Sequence, residues 1–289
     1  MIKSIKRLIE HLTMKKIHYL LITVVVMMMI SLTAGIVDAA PKADLWSFWK
    51  KHNKQNTAEI DHGLWDQLLK TYLISDDPSG VNLFRYRAVS ANDKKTLEQY
   101  LGQLEAIDPR QYNLSEQKAY WINFYNAATV KLILDHPDVD TIRDIGEGFF
   151  ASGPWDDPIA KVAGQTLTLN DMEHRILRPI YRDERIHYVV NCASFSCPNL
   201  APMAFTAKNT ESLLEQGAKD YINHPRGLRF VDGELVVSSI FIWYGSDFAK
   251  NKQDLLKYFA KYHQQPDRLL GYQGDLDDEY DWSLNAPKN

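Results

Sequence analysis

The feature that most constrains the fold is a helix-forming segment at residues 116–135 that is apolar on nearly every side. Ser115 is predicted to cap this helix, and the His-Pro pair at 136–137 ends it. Because a helix that is hydrophobic all round must be surrounded by other elements, we expect it at the centre of the fold. Asn123 and Asn126 lie within it, and a buried amide has to be hydrogen bonded. They are expected either to tie neighbouring loops to the core or to contribute to binding.

The other patterns predict short strands that pair locally and do not alternate with helices. Hairpins are predicted at residues 159–169 and 228–237, and a buried strand at 186–191. The acidic chain from residue 271 is irregular and predicts no helix or strand. The predicted fold is therefore a helix-rich α+β single domain, with a small, mainly antiparallel sheet and a central apolar helix.

The amino terminus has the anatomy of a secretory signal. Five basic residues precede a weakly polar stretch at 20–37, and small residues follow up to Ala39. We therefore predict a cleaved signal peptide at 1–39 and a periplasmic or secreted protein. The alternative is an uncleaved membrane anchor formed by residues 17–37. An N-terminal helical segment at 40–80 and a main domain at 81–289 complete the predicted organisation.

Composition excludes one class of partner. Residues 1–39 hold five of the 33 basic and two of the 37 acidic side chains, so the remaining 250 residues carry a net charge of −7. Such a surface repels nucleic acid, and the partners are otherwise unknown. The glycines at 146–153 are spaced irregularly, unlike a phosphate-binding loop, and no cofactor is predicted.

The chemistry of the chain is concentrated in one octapeptide. Cys192 and Cys197 are the only cysteines, and both lie between Asn191 and Pro198. An exported protein favours a disulfide, although one closing so short a loop would stabilise the fold by only about 2 kcal/mol. The alternatives are a nucleophilic Cys192 and a zinc site shared with a histidine, of which the zinc site has the weaker support, so no metal ligand is predicted.

A nucleophilic thiol needs a base or a positive environment to ionise. On a continuous strand His187 would point away from Cys192 and lie roughly 16 Å from it, which favours a core histidine. His174 is the better candidate base, oriented by Glu173 or Asp171, although its stripe with Arg178 also fits a solvated helix face. The predicted catalytic residues are Cys192, His174 and Glu173. The predicted binding residues are Asn123, Asn126, Arg178, Asn191 and Trp155.

Four ordered motifs carry a resemblance to a known family. They are Trp121–Asn126, Glu173–Arg178, Asn191–Pro198 and Tyr280–Asn285, and together they resemble the bacterial form of the domain-of-unknown-function 547 family over approximately residues 80–285. The resemblance carries over no established activity. Plant relatives resemble this pattern with the first cysteine present and the second often replaced by serine, which implies that Cys192 matters beyond any disulfide.

Two hypotheses from different classes follow. The first is a thiol-dependent hydrolase or acyl transferase using Cys192 with a histidine base. The second is a non-enzymatic binding module, in which the loop around Trp155 and the Trp243-Tyr244 turn form a recognition surface and a Cys192–Cys197 bridge is structural. A free, fast-reacting Cys192 would favour the first, and an inert disulfide the second.

Overall fold

The computed structural model describes residues 40–146 and 153–288. The predicted signal peptide at 1–39 lies outside the described residues and stays a prediction. In the part of the chain that is described, no helix is both long and apolar enough to cross a membrane.

Helices dominate the fold, and strands contribute only small sheets. The α-helices are α1 (Gly63–Tyr72), α2 (Ala91–Ala106), α3 (Leu114–Asp135), α4 (Arg178–Tyr181), α5 (Thr210–Asn223), α6 (Ile240–Trp243), α7 (Gly245–Phe248), α8 (Lys252–Tyr262) and α9 (Pro266–Leu270). Short 3-10 helices occur at Ser47–Lys50, Tyr86–Ala88, Pro109–Gln111, Ile142–Asp144 and Glu184–Tyr188, and a π-helix spans Asp171–Leu177. The strands are β1 (Leu73–Ile74), β2 (Leu83–Phe84), β3 (Ala160–Val162), β4 (Gln165–Leu167), β5 (Leu228–Val231), β6 (Glu234–Ser238) and β7 (Leu276–Glu279). The helix-rich α+β prediction is confirmed.

The strands pair mainly as antiparallel hairpins. β1 pairs with β2, β3 with β4 and β5 with β6, and the last two pairs are the hairpins predicted from the sequence. The exception is β7, which adds to β6 in parallel with Leu276 opposite Leu235. The expectation that the chain is irregular from residue 271 was therefore wrong.

The central helix α3 is buried along most of its length, as its apolar composition predicts. Trp121, Phe124 and both asparagines are at most 1% exposed. Its cap is Asn113, whose side chain accepts a hydrogen bond from the Glu116 amide, and not Ser115 as predicted. One hydrophobic core surrounds α3, and a second is built around α5, α8 and the ring of Phe241.

The strand predicted at residues 186–191 is not present. The chain forms the 3-10 helix Glu184–Tyr188, which the Asp183 carboxylate caps by accepting from the Arg185 amide. The following backbone is paired with a side chain instead of a neighbouring strand. Asn126 donates to the Val189 carbonyl and accepts from the Asn191 amide, both at 2.8 Å. The buried side-chain amide of Asn126 therefore supplies the hydrogen bonds that a neighbouring strand would otherwise supply.

Candidate thiol site

The cysteine loop, residues 190–198, is folded back on itself by its own polar groups. Ala193 adopts the left-handed conformation, with φ of +63°, which turns the chain directly after Cys192. The Asn191 side chain closes the turn by accepting from the Ala193 amide at 2.9 Å and donating to the Pro198 carbonyl at 2.7 Å. Asn191, a predicted binding residue, is 3% exposed and positions the loop.

Two parts of the chain that are distant in sequence hold the cysteine loop through hydrogen bonds. On one side is Asn126 of α3, as described above. On the other side the C-terminal segment, residues 280–285, runs antiparallel to the loop, with Ser194 bridged to Leu284. Backbone hydrogen bonds join Phe195 to Ser283 at 2.6 Å and Ser196 to Asp281 at 3.1 Å. This pairing brings Tyr280 to the cysteines from 88 residues away.

Cys192 is partly exposed, and its sulfur is surrounded by hydrogen-bonding groups. It lies 2.9 Å from the Cys197 sulfur, 3.4 Å from Ser194 Oγ and 3.3 Å from Tyr280 Oη. The Cys197 S–H is the largest cause that lowers the pKa of Cys192, to about 7, and the Ser194 and Tyr280 hydroxyls act in the same direction against the effect of burial. Cys192 therefore has substantial thiolate character at neutral pH.

Cys197 has the opposite character. It is 5% exposed, and burial raises the pKa of its thiol well above the ordinary value, with the neighbouring Cys192 adding to the effect. Its sulfur also accepts a hydrogen bond from the Cys192 backbone amide at 2.9 Å. The two sulfurs are not at the roughly 2.05 Å of a disulfide, and both cysteines are free thiols. The predicted disulfide is therefore not formed in this structure.

His174 and Glu173 lie in a different environment, which we call the ionic cluster: Glu173, His174, Arg178, His187 and Asp247. Asp247 Oδ2 is 2.6 Å from Arg178 Nε and 2.8 Å from His187 Nε2. Glu173 Oε1 is 3.6 Å from His187 Nδ1, and Arg178 Nη1 donates to His174 Nδ1 at 2.8 Å. All except Asp247 are buried, so the solvated helix face that was the alternative for this stripe is wrong.

The predicted direct pairing of His174 with Cys192 is not formed. Among the described residues, the hydrogen bonds of the Cys192 sulfur go to Ser194, Cys197 and Tyr280. His174 Nδ1 is occupied by Arg178, so it has no lone pair left to take a proton from a thiol. The π-helix that carries His174 packs it towards Tyr244, with ring centroids 5.5 Å apart.

The ionic cluster is nevertheless close enough to the thiols to share a neighbour with them. Tyr125 of α3 is buried, which raises its pKa well above the ordinary value, and the charges of Glu173 and Cys192 raise it further. Tyr125 therefore lies near both groups.

Burial decides most of the protonation states in the cluster. It lowers the pKa of His174 to about 4, although Glu173 opposes this effect, so His174 is neutral near pH 7. Burial also acts against the charge of His187, but the hydrogen bonds to Asp247 and Glu173 prevail and its pKa is raised. Glu173 is ionised, because the neighbouring histidines and Arg178 outweigh burial and lower its pKa to about 2.

Two of the aromatic residues predicted for recognition, Trp155 and Trp243, both contact Trp282 near Cys192. We call Trp155, Trp243, Tyr280 and Trp282 the aromatic cluster, and all four are partly exposed. Trp282 contacts the other three rings, with centroids 5.8 Å from Trp155, 5.5 Å from Trp243 and 4.6 Å from Tyr280. The Arg143 guanidinium lies 5.2 Å from the Trp282 ring. Tyr244, predicted for the same surface, instead stacks on His187 at 4.5 Å.

Asn123 does not reach the thiol site. Its amide is hydrogen bonded twice to the Phe205 backbone, donating at 2.8 Å and accepting at 2.9 Å. Arg178, the other predicted binding residue on the π-helix side, is held in the ionic cluster and by the Pro41 carbonyl at 2.7 Å. Within residues 40–146 and 153–288, no group of three or more His, Cys, Asp or Glu side chains is arranged to hold a metal ion.

Three residues of the thiol site and the ionic cluster were missed by sequence reasoning. Ser194 lies in the octapeptide, and Tyr280 begins the closing motif of the resemblance, so both carried a signal that was not read as chemistry. Asp247 carried none, because its partners His187 and Arg178 precede it by 60 and 69 residues.

Comparison with known proteins adds one match. No curated protein and no solved structure matches this chain. Residues 109–222 match the family model described as "Protein of unknown function, DUF547". The matched range contains both cysteines, both asparagines of α3 and most of the ionic cluster, but neither Asp247 nor Tyr280. The chain therefore contains a region similar to the DUF547 family over residues 109–222.

Proposed function

We propose that this protein is a thiol-dependent enzyme in which Cys192 is the nucleophile. The observation that carries the proposal is the environment of the Cys192 sulfur. Cys192 is partly exposed, three groups that can hydrogen bond to its sulfur lie within 3.4 Å, and the pKa of its thiol is lowered to about 7. Covalent catalysis requires an accessible thiolate near neutral pH, and these contacts supply one.

The donors replace the histidine base that the sequence suggested. Because Cys197, Ser194 and Tyr280 stabilise the thiolate, ionisation needs no proton transfer to His174. Acyl transfer and hydrolysis, the reactions predicted from the sequence, also need an acid for the leaving group. Tyr280 Oη at 3.3 Å is the nearest hydroxyl that could donate to it. In this proposal the ionic cluster takes no part in the reaction, because among the described residues no hydrogen bond joins it to the Cys192 sulfur or to the three partners of that sulfur.

The proposal is tested by the pH dependence of alkylation. The native protein is treated with limiting iodoacetamide between pH 5 and 10, and the modified cysteine is identified by peptide mass spectrometry. We expect modification at Cys192, with a rate that rises through a midpoint near pH 7, and little at the buried Cys197. A Cys192 that reacts only with a midpoint above pH 8.5, the value of an unperturbed thiol, would refute the proposal.

A specific observation favours a second candidate, the non-enzymatic binding module. The aromatic cluster presents three tryptophans and a tyrosine, all partly exposed, beside the Arg143 guanidinium. Exposed aromatic groups of this kind are common at recognition surfaces. The alkylation experiment separates the two candidates, because an inert Cys192 in the native protein would leave the aromatic cluster as the better-supported site.

A further inference from the structure

We infer that the reaction of Cys192 is thiol–disulfide exchange, with a disulfide as the substrate and Cys197 as the resolving thiol. This inference rests on the proposed function, since it requires Cys192 to be the nucleophile. It goes further by naming the substrate class and by giving Cys197 a chemical role.

The placement of the two sulfurs carries the inference. They lie 2.9 Å apart, and Cys197 is within reach of any group bonded to Cys192 Sγ. The turn at Ala193 and the clamps from Asn126 and Asn191 hold both ends of the loop, so this proximity is built into the fold. Exchange requires the second thiol to attack the sulfur of a mixed disulfide, and no rearrangement of the backbone is needed to bring it there.

The two thiols also differ in the way the reaction requires. Cys192 is partly exposed and can meet a substrate, whereas Cys197 is 5% exposed and is shielded from solvent. The Cys192 amide, which donates to the Cys197 sulfur at 2.9 Å, stabilises Cys197 as it becomes a thiolate in the second step. An attacking thiol and a protected resolving thiol are the two parts of a dithiol redox centre.

The same contacts argue against acyl transfer as the reaction. A tetrahedral intermediate needs hydrogen-bond donors aimed at its oxyanion, commonly backbone N–H groups. The N–H of Cys192 is engaged with Cys197 Sγ, and the N–H of Ala193 is engaged with Asn191 Oδ1. Disulfide exchange develops its charge on sulfur and needs neither an oxyanion hole nor a histidine.

The exchange proceeds in two balanced steps. The Cys192 thiolate attacks one sulfur of R–S–S–R′, so that a Cys192–S–R bond forms, R′–S⁻ leaves and takes up the proton of the Cys197 thiol. The Cys197 thiolate then attacks Cys192 Sγ, the protein disulfide forms, and R–S⁻ leaves and is protonated by water. Two electrons pass from the protein to the substrate, and the proton released when Cys192 ionised is regained by R–S⁻. A small thiol such as reduced glutathione reverses both steps.

The experiment equilibrates the full chain with reduced and oxidised glutathione over a wide range of ratios. The thiols are then blocked in acid, and intact mass and peptide mapping report the state of each cysteine. We expect a Cys192–Cys197 disulfide that forms and is reduced within the series, passing from about one tenth to about nine tenths oxidised over about a hundredfold change in [GSH]²/[GSSG]. A pair that stays reduced throughout, or that glutathione cannot reduce, would overturn the inference.

Two variants give an independent readout. With Cys197→Ser the mixed disulfide cannot be resolved, so glutathione is expected to accumulate on Cys192. The matched variant Cys192→Ser is expected to take up at least tenfold less glutathione, because Cys197 is buried. Equal uptake by the two variants contradicts the assigned roles. If either variant fails to fold, the titration of the unmodified chain decides the matter alone.

Failure of this inference is distinguishable from failure of the proposed function. If Cys192 alkylates with a midpoint near pH 7 but forms no disulfide with Cys197 or glutathione, the nucleophile stands and the substrate class is wrong. If Cys192 is also unreactive towards iodoacetamide, both are wrong.

Discussion

At the scale of single residues, the notable property of Cys192 is that hydrogen bonds alone make it acidic. A thiolate is commonly stabilised by a cation or a helix N-terminus, whereas here the nearest groups are a thiol and two hydroxyls. Hydrogen bonds to a charged acceptor contribute about 1.5–3 kcal/mol each, so losing one changes the balance between thiol and thiolate measurably. The C-terminal Tyr280 is the donor that can be removed with least disturbance of the loop.

Tyr280→Phe is predicted to weaken the thiolate. It removes the hydroxyl 3.3 Å from the sulfur and keeps the ring within the aromatic cluster. Loss of about 1.5 kcal/mol of stabilisation raises the midpoint of Cys192 alkylation from near pH 7 to about pH 8. Tyr272→Phe is the control, because the Tyr272 hydroxyl bonds Glu234 and not the thiol site. An unchanged midpoint in Tyr280→Phe would show that its hydroxyl does not act on the thiolate.

At the scale of elements, the central helix α3 fixes two loops through the side-chain amides of Asn123 and Asn126. Asn123 holds the Phe205 backbone and Asn126 holds the chain at Val189 and Asn191, each through one donated and one accepted hydrogen bond. Both amides are fully buried, so neither can exchange its partners for water. Only the second amide is connected to the cysteine loop.

This difference makes the two asparagines a matched pair of variants. Replacing either by alanine leaves one buried backbone donor and one acceptor without partners, which should lower the free energy of unfolding by about 2–4 kcal/mol in both cases. Asn126→Ala should also alter the rate and pH midpoint of Cys192 alkylation, because it frees the loop, whereas Asn123→Ala should leave them unchanged. Chemical denaturation and alkylation on the same samples measure both effects. Equal effects of the two variants on alkylation would contradict the assigned role of Asn126.

Sequence patterns predicted some of these elements correctly and others incorrectly. The hairpins at β3–β4 and β5–β6 and the burial of α3 follow from local patterns, and they were predicted. The β-branched residues near Val189 predicted a strand because the pattern is local, but the partner that replaced a sheet is a side chain about 63 residues away. The cysteine loop was identified from the sequence, but the contribution of Tyr280 required knowing that residues 280–285 return to this loop.

At the scale of the whole molecule, the last residues complete both the sheet and the site. β7 adds in parallel to β6, and residues 280–285 then pair with the cysteine loop. Asn285 ties this segment to the first part of the fold, because its side chain accepts from the Tyr86 hydroxyl at 2.7 Å and its carbonyl accepts from the Phe84 amide at 2.7 Å. Contacts between residues so far apart in sequence leave no periodic signal. This explains why the sequence pattern predicted no helix or strand in this region.

The buried histidines give the whole domain a predictable dependence on acid. Burial lowers the pKa of both His62 and His174 from 6.5 to about 4, so the unfolded chain binds more protons than the folded one between these values. Stability should therefore fall as the pH drops from 6.5 to 4, with each histidine contributing up to about 1.4 kcal/mol per pH unit. His187 has a raised pKa and acts in the opposite sense, since its contribution is present below pH 6.5 and is lost as the pH rises through its folded value.

The dependence of the free energy of unfolding on pH tests whether His174 resists protonation in the folded protein. Urea denaturation between pH 4.5 and 6.5 gives the slope of the free energy of unfolding against pH. This slope should be shallower for His174→Gln than for the unmodified chain, by up to about 1.4 kcal/mol per pH unit, which corresponds to one bound proton. The slope is the proper readout because the substitution also removes the hydrogen bond to Arg178 and lowers stability at every pH. His136→Gln, at an exposed position after α3, should leave the slope unchanged. If His174→Gln and His136→Gln have the same slope, His174 does not resist protonation in the folded state, and acid instability arises elsewhere in the molecule.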